Sequence, residues 1–150
     1  MPKVTYDANV FISRKPSYFP AGFIMSAVVM QELAAGAVDD SELQQLNAAR
    51  RAYEKENRLL VPTADDWWQA GKVLNSLLRG LKAKGGGKTP KLPDSEKQRI
   101  ISDVLIAVTA RRERALIVTD NLKDFKRIGY YCNVKTMSAT QFFNRRGRIT

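Results

Sequence analysis

The sequence predicts an α/β protein of three layers, α/β/α, in which a parallel sheet of about five strands is flanked by helices. Short, uniformly apolar segments alternate with helical patterns along the chain, and this alternation favours a parallel sheet that is covered on both faces. Hydrophobic residues make up 44% and charged residues 27% of the 150 residues, as in proteins with one packed core. We therefore expect a single domain over residues 1–150.

Five segments are predicted as strands. Each is short and rich in β-branched or large apolar residues, and the third ends at a proline. In chain order they are Lys3–Tyr6, Phe23–Ser26, Leu59–Pro62, Ala115–Thr119 and Asn133–Met137.

Five longer helices are predicted between and after these strands: Val28–Ala35, Asp40–Glu56, Ala64–Leu81, Glu96–Arg112 and Ala139–Arg145. Three of the predicted helix starts carry a Ser or Thr followed three residues later by an acid or amide, a spacing that satisfies the free N–H groups of a first turn. These pairs are Thr63 with Asp66, Ser95 with Gln98, and Ser138 with Gln141.

The composition excludes several classes of enzyme. The chain has no histidine and one cysteine, Cys132, so imidazole catalysis, an internal disulfide and a thiol zinc site are all excluded. Catalysis would have to use carboxylates, lysines, tyrosines or hydroxyls. The apolar stretch Ala21–Val29 is too short to span a bilayer, and no secretory pattern precedes the first strand, so we expect a cytoplasmic protein without a membrane partner.

The net charge of +10 is concentrated in the second half of the chain. Residues 1–75 hold 8 Lys and Arg against 9 Asp and Glu, whereas residues 76–150 hold 17 against 6. A strongly basic second half favours a polyanion as binding partner. The alternative is that its lysines only keep the protein soluble. Residues 82–93 have the composition of a loop and carry four lysines without an acid. Gly87-Lys88-Thr89 within them is not a phosphate-binding P-loop, because Lys82 stands where that motif needs a glycine and a helix precedes it.

Four acidic residues are predicted to meet at one edge of the sheet. Asp7 and Asp120 end the first and fourth strands, Glu32 lies in the helix after the second strand, and Asp103 interrupts an apolar helix. In proteins with an open parallel sheet, ligands bind at the carboxyl ends of the strands, so these side chains are candidates for one site. The alternative for Asp7 and Asp120 is a helix-capping role, and for Glu32 and Asp103 an exposed position on a helix. Clustered carboxylates need a compensating cation, and an all-oxygen set suits Mg²⁺ or Mn²⁺.

Four segments, in order and spacing, resemble the PIN-domain ribonucleases, in particular the VapC toxins of bacterial and archaeal VapBC toxin–antitoxin pairs. The segments are Asp7–Ile12, Ser26–Gly36, Asp103–Ala110 and Leu116–Phe125. The resemblance implies a PIN-like fold in which Asp7, Glu32 and Asp103 bind the metal. It leaves the fourth ligand open among Asp120, Asn121 and Asp124.

We favour Asp120 as the fourth ligand, with Asn121 as a neutral oxygen ligand or water holder and Asp124 as a helix-start or supporting residue. Asn9 and Thr119 are predicted to orient the carboxylates or a metal-bound water, with local turn and cap bonding as the alternative. The resemblance further implies an Mg²⁺- or Mn²⁺-dependent endoribonuclease toxin, a VapB-like antitoxin whose tail fills the acidic groove, and a homodimer.

Contacts to RNA are predicted for Lys82, Lys84, Lys88 and Lys91, with Arg79, Lys97 and Arg99 beside them. Trp67 and Trp68 could stack on bases, but neighbouring helical residues point about 100° apart, so we favour packing in the core or against a partner.

Three alternatives remain for the function. A PIN nuclease of RNA processing would lack an antitoxin encoded immediately upstream, and a non-catalytic RNA-binding protein would share the fold. A receiver domain also gathers acids around Mg²⁺, but it needs an aspartate at the end of the third strand, where this chain reads Leu60-Val61-Pro62.

Overall fold

The computed structural model describes residues 3–88 and 91–147, and strands alternate with helices along them. The first half comprises β1 (Val4–Tyr6), α1 (Ala8–Ser13), a 3₁₀ turn (Pro16–Tyr18), β2 (Met25–Ser26), α2 (Ala27–Ala35), α3 (Asp40–Lys55) and β3 (Leu59–Leu60). The second half comprises α4 (Ala64–Lys84), α5 (Asp94–Arg112), β4 (Leu116–Thr119), α6 (Leu122–Gly129), β5 (Thr136–Ser138) and α7 (Ala139–Gly147). The α/β class predicted from the sequence is confirmed.

The five strands form two parallel sheets, so the expectation of a single sheet of about five strands is wrong. The larger sheet has three strands in the order β1-β4-β5, and β2 pairs separately with β3. Ile24 N–H donates to Val4 O at 2.9 Å and links the two sheets just before β2 begins. Because β2 and β3 have two residues each, bounded by Gly22 at φ +87° and by Pro62, they are too short to extend this link into a ladder.

The predicted helix caps are confirmed at two of three positions. Asp66 N–H donates to Thr63 Oγ1 at 3.1 Å, and Thr63 N–H donates to Asp66 Oδ2 at 2.9 Å, which completes a capping box at α4. Ser138 Oγ accepts from Gln141 N–H at 3.1 Å. The expected cap at Ser95 is wrong, because α5 begins at Asp94 directly after Pro93 and places Ser95 inside the first turn.

The basic segment is partly helical, contrary to the expected loop over residues 82–93. Helix α4 continues to Lys84, so Lys82 and Lys84 lie in its last turn. Positively charged side chains interact favourably with the helix dipole at this end. The connection to α5 therefore begins at Gly85, and Gly86 and Gly87 adopt φ values of +70° and +88° there. Residues 89–90 lie outside the described residues.

Helix α5 is the central element of the core. Its residues 103–110 are all buried, which explains why its apolar residues show no amphipathic periodicity. It packs against α4, α2 and β4. Trp67 and Trp68 lie on α4 but are 58% and 69% exposed, so the core location expected as one possibility is wrong. No helix of the described residues is both long and apolar enough to cross a membrane.

Candidate active site

The carboxyl ends of β1 and β4 lie side by side and position two of the predicted acids. Tyr6 pairs with Val118, and Asp7 N–H donates to Val118 O at 3.0 Å. Asp7 therefore follows β1 at the same edge of the sheet at which Asp120 follows β4. Both residues stand at the edge that the sequence predicts.

Asp7 is held by donors on both of its carboxylate oxygens. Ala8 N–H donates to Oδ1 at 2.8 Å, and the Thr119 hydroxyl donates to Oδ2 at 3.0 Å. Asp7 is only 5% exposed, and burial raises the pKa of its carboxyl above the ordinary value. The two hydrogen bonds offset part of that rise, while the charges of Asp120 and Asp124 add to it.

Glu32 lies in α2, whose start is fixed by the Ser26 hydroxyl accepting from Val28 N–H and Val29 N–H. Burial, followed by the negative charge of Asp7, raises the pKa of Glu32 to about 7, and a hydrogen bond with Ser102 lowers it in part. Glu32 Oε1 is buried and has no hydrogen-bond partner among the described residues. A buried carboxylate oxygen without a partner is costly unless a cation or water approaches it.

Asp103 lies on α5 and is 4% exposed. Burial raises the pKa of Asp103 to about 8, and the charges of Asp7, Glu32 and Asp124 contribute to this rise. Arg99, one helical turn earlier, acts in the opposite direction. Asp7, Glu32 and Asp124 thus all lie within electrostatic reach of Asp103, and we call these four residues the acidic cluster.

Asp120 differs from the acidic cluster because an arginine neutralises it. Arg14 Nη1 and Nη2 donate to its two oxygens at 2.8 and 3.1 Å, and the Ser13 hydroxyl donates at 3.1 Å. These contacts, led by Arg14, lower the pKa of Asp120. The helix-cap alternative for Asp120 is wrong, because the N-cap of α6 is Asn121.

The remaining predicted residues surround the end of β4. Asn9 Oδ1 accepts from Asp120 N–H at 3.5 Å, and Thr119 Oγ1 accepts from Asn121 N–H at 2.9 Å. Asn121 Nδ2 in turn donates to Asp124 at 2.6 Å. Arg99 and Arg127 also approach Asp124, at 3.7 and 3.9 Å.

The carboxylate oxygens are ligands of the kind that a hard divalent ion prefers, although they do not converge on a formed metal site. Within residues 3–88 and 91–147, no three acidic or cysteine side chains are arranged so that they could hold a metal ion as they stand. Mg²⁺ commonly uses one or two carboxylates and keeps several waters, and the unpartnered Glu32 Oε1 offers such a ligand.

Sequence reasoning missed Arg14, Ser13 and Ser102. Arg14 and Asp120 are 106 residues apart and belong to no spacing pattern, so only the tertiary structure reveals their pairing. Ser102 directly precedes Asp103, and its contribution depends on how α5 packs against α2.

A basic groove lies along the amino-terminal half of α5. Its volume is about 480 Å³, and it is lined by Leu78, Ile101 and other apolar side chains, with Arg79, Lys82 and Lys97 at its border. Arg99 follows Lys97 on the same helix and reaches Asp124. Basic side chains therefore occur both in the groove and beside Asp124 of the acidic cluster.

Comparison with known proteins identifies the fold. No family model matches the sequence, and no curated protein matches it. Among solved structures, the chain is similar to DNA-bound VapBC from Salmonella typhimurium, with a TM-score of 0.57, 21% identity and coverage of 93% of this chain and 99% of that chain. VapBC-1 from nontypeable Haemophilus influenzae gives a TM-score of 0.58, 23% identity and coverage of 91% and 98%. DNA-bound VapBC2 from Rickettsia felis gives a TM-score of 0.55, 19% identity and coverage of 90% of this chain and 97% of that chain. The chain therefore shares its fold with the matched chains of these VapBC structures.

Proposed function

We propose that the protein is an Mg²⁺- or Mn²⁺-dependent endoribonuclease, the toxin component of a type II toxin–antitoxin pair. The observation that carries this proposal is the acidic cluster, in which Asp7 and Asp103 are buried, Glu32 has an unpartnered buried oxygen, and the charge of Asp7 raises the pKa values of both Glu32 and Asp103. The half of the chain that supplies Asp103 and Asp124 is strongly basic, and Arg99 and Arg127 approach Asp124, which supports binding of a polyanion near the cluster.

Electrostatics explains why the cluster needs a cation. Two like charges about 4 Å apart repel by roughly 4 kcal/mol at an effective dielectric of 20, and burial adds a desolvation cost. A bound Mg²⁺ would compensate these charges, activate a water and stabilise the charge that develops on the phosphodiester.

The residues of the candidate site have distinct tasks in this proposal. Thr119 and Ala8 fix the orientation of Asp7, while Glu32 presents a free oxygen and Asp103 supplies the second buried carboxylate on α5. For the fourth acid, we favour Asp124 over Asp120, because Asp124 raises the pKa of both Asp7 and Asp103, whereas Asp120 raises that of Asp7 alone and is bound by Arg14. Asn121 orients Asp124, and Asn9 orients the turn after β4.

The partners belong to the same proposal. The similar structures are VapBC complexes, two of them bound to DNA, which supports a VapB-like antitoxin as the partner of this chain. We further propose a homodimer in the cytoplasm and an RNA substrate that Lys82, Lys84, Lys88 and Lys91 contact.

The test is cleavage of labelled RNA by the purified protein in Mg²⁺ or Mn²⁺ and in EDTA. We expect cleavage only with the metal, and a loss of about 100-fold or more for Asp7→Asn and Asp103→Asn. The matched control is Asp40→Asn, the same change at an exposed position in the first turn of α3, which should retain activity. RNA binding by Asp103→Asn should persist.

Other outcomes would select the alternatives. If the wild type binds RNA but cuts none with any divalent ion, the non-catalytic protein is favoured. If it cuts RNA but its expression does not arrest bacterial growth, and no small antitoxin gene lies upstream, a role in RNA processing is favoured.

A further inference from the structure

We infer that Arg14 binds a phosphate of the substrate beside the acidic cluster, and that Asp120 is the positioning residue that holds Arg14 rather than a metal ligand. The inference rests on the proposed nuclease function, because it names a substrate contact of the same site. It changes the role of Asp120 and adds a residue that no sequence pattern indicates.

The Arg14 side chain is held in one orientation from two sides. Its two Nη atoms grip the carboxylate of Asp120 in a fork, and Nη1 also donates to Ser13 Oγ at 2.8 Å. Its guanidinium lies over the ring of Phe143, 5.0 Å from the centroid. With 19% of its side chain exposed, Arg14 is more fixed than a surface arginine but still reachable from solvent.

Arg14 is connected to Asp7 of the acidic cluster through two neighbouring chain segments. It directly follows α1, the helix that Asp7 caps, and its partner Asp120 directly follows Thr119, which donates to Asp7. A phosphodiester brought to the cluster would therefore approach this guanidinium.

The guanidinium has donors left for a ligand. Nε of Arg14 has no acceptor among the described residues, and Nη2 uses one of its two N–H groups on Asp120. A planar guanidinium is suited to phosphate oxygens because parallel N–H groups match their spacing. The carboxylate of Asp120 can orient the fork while the remaining N–H groups face an anion.

An anionic substrate gives this arrangement a purpose. The acidic cluster repels RNA phosphates on either side of the cleaved bond, and a fixed cation at its border offsets that repulsion. Asp124 on α6 also has arginine neighbours, Arg99 and Arg127. Both acids that follow β4, Asp120 and Asp124, therefore lie beside positive charge. Arg14 differs from Arg99 and Arg127 in having short, forked contacts.

The decisive experiment separates metal binding from RNA binding. Mn²⁺ binding is measured by calorimetry for the wild type, Asp7→Asn and Asp120→Asn, and RNA binding by fluorescence anisotropy in an Asp103→Asn background that does not cut. We expect Asp120→Asn to retain Mn²⁺ affinity within about 2-fold, while Asp7→Asn weakens it by about 10-fold or more. Equal weakening of Mn²⁺ binding by the two substitutions would make Asp120 a metal ligand and overturn the inference.

The same background tests Arg14 directly. Arg14→Ala should weaken RNA binding by about 10-fold, and adding Asp120→Asn should cause no further loss, because Asp120 acts only through Arg14. Arg14→Lys keeps the charge without the fork and should weaken binding by about 3-fold, which keeps the test open if the alanine variant fails to fold. Unchanged RNA affinity of both Arg14 variants would assign the residue a structural role only.

Arg58→Ala is the matched control. Arg58 also stacks on aromatic rings, those of Phe23 and Tyr53, and pairs with a carboxylate, that of Glu56, but it lies at the amino end of β3. This variant should lose thermal stability without losing RNA affinity. If the wild type cuts no RNA but Arg14→Ala weakens RNA binding, the proposed catalysis fails and the role of Arg14 holds. If the wild type cuts RNA and the Arg14 variants bind RNA normally, the proposed catalysis holds and the role of Arg14 fails.

Discussion

Asp7 caps a helix, and its geometry is also compatible with the metal-ligand role that we propose for it. Its Oδ1 caps α1 through Ala8 N–H, and its Oδ2 accepts from Thr119, yet each carboxylate oxygen has a further lone pair. A capping aspartate is thereby fixed in space at low entropic cost, and its remaining lone pairs stay available to a cation. The role of helix cap and the role of metal ligand are compatible in one residue.

The raised pKa of Asp103 predicts how the metal-free protein responds to pH. The folded chain holds the Asp103 proton up to about pH 8, whereas the unfolded chain releases it near 3.8, so stability falls as pH rises between these values. Asp103→Asn removes the buried charge, and we expect it to raise the free energy of unfolding at pH 8.5 by about 1 to 3 kcal/mol in EDTA. Urea unfolding at pH 5.5 and 8.5 measures this.

The control for this effect is Asp40→Asn, which should leave the pH dependence of the wild type unchanged. An Asp103→Asn variant whose stability declines with pH as steeply as the wild type would show that the carboxylate is not the buried charge responsible.

Thr119 predicts a second effect at the scale of one residue. Its hydroxyl donates to Asp7 and accepts from Asn121 N–H, and the residue is fully buried. Thr119→Val keeps the shape but removes both bonds, so we expect cleavage to fall by about 10-fold. A steady-state RNA cleavage assay measures this loss.

Thr109→Val is the matched substitution for that assay. Thr109 is equally buried on α5, but its hydroxyl donates to the carbonyls of Leu105 and Ile106, away from the acidic cluster. Equal activity losses in the two variants would point to a general effect of stability and not to the orientation of Asp7.

At the scale of elements, the sequence predicts what local patterns determine. The long helices and all five strand segments were predicted because caps, periodicity and apolar runs specify them, as at Thr63 and Ala115–Thr119. The division into two sheets was not, because it depends on how far the chain before β2 pairs with β1 beyond the hydrogen bond from Ile24 to Val4. The end of α4 also exceeded its last periodic apolar residue by a turn, since Lys82 and Lys84 suit a helix terminus.

The start of α4 allows a prediction at this scale. Asp66 is 2% exposed, completes the capping box with Thr63, and accepts from Arg112 Nε at 2.9 and 3.1 Å, joining α4 to the end of α5. Asp66→Ala should lower the free energy of unfolding by about 3 kcal/mol, because it removes the cap and the buried partner of a cation together. Asp65→Ala, an exposed neighbour in the same turn, should cost about 1 kcal/mol or less. Similar losses in the two variants would contradict a structural role of this pair.

At the scale of the whole molecule, the position of the site was predictable and its internal pairing was not. The carboxyl ends of parallel strands collect Asp7 and Asp120 whatever the details of packing. The sign of the environment at each acid depends on tertiary neighbours: Arg14 neutralises Asp120, whereas the acids around Asp103 disfavour its charge. Charge spacing along a sequence does not contain this distinction.

The uneven distribution of charge leads to a prediction for the whole chain. If the basic segment tracks RNA, each lysine that contacts a phosphate releases counterions, and log Kobs changes with log salt by about 0.7 per contact on a single strand. Replacing Lys82 and Lys84 with glutamine should therefore reduce the salt slope by about 1.4, and replacing Lys88 and Lys91 should reduce it equally. Lys55 and Lys72, exposed lysines of the first half, give a control pair of the same charge, whose replacement should leave the slope unchanged. Anisotropy titrations between about 50 and 200 mM salt, in the Asp103→Asn background, measure all three slopes. Equal slopes for the three pairs would mean that the lysines of the second half serve solubility and that RNA follows another path to the acidic cluster.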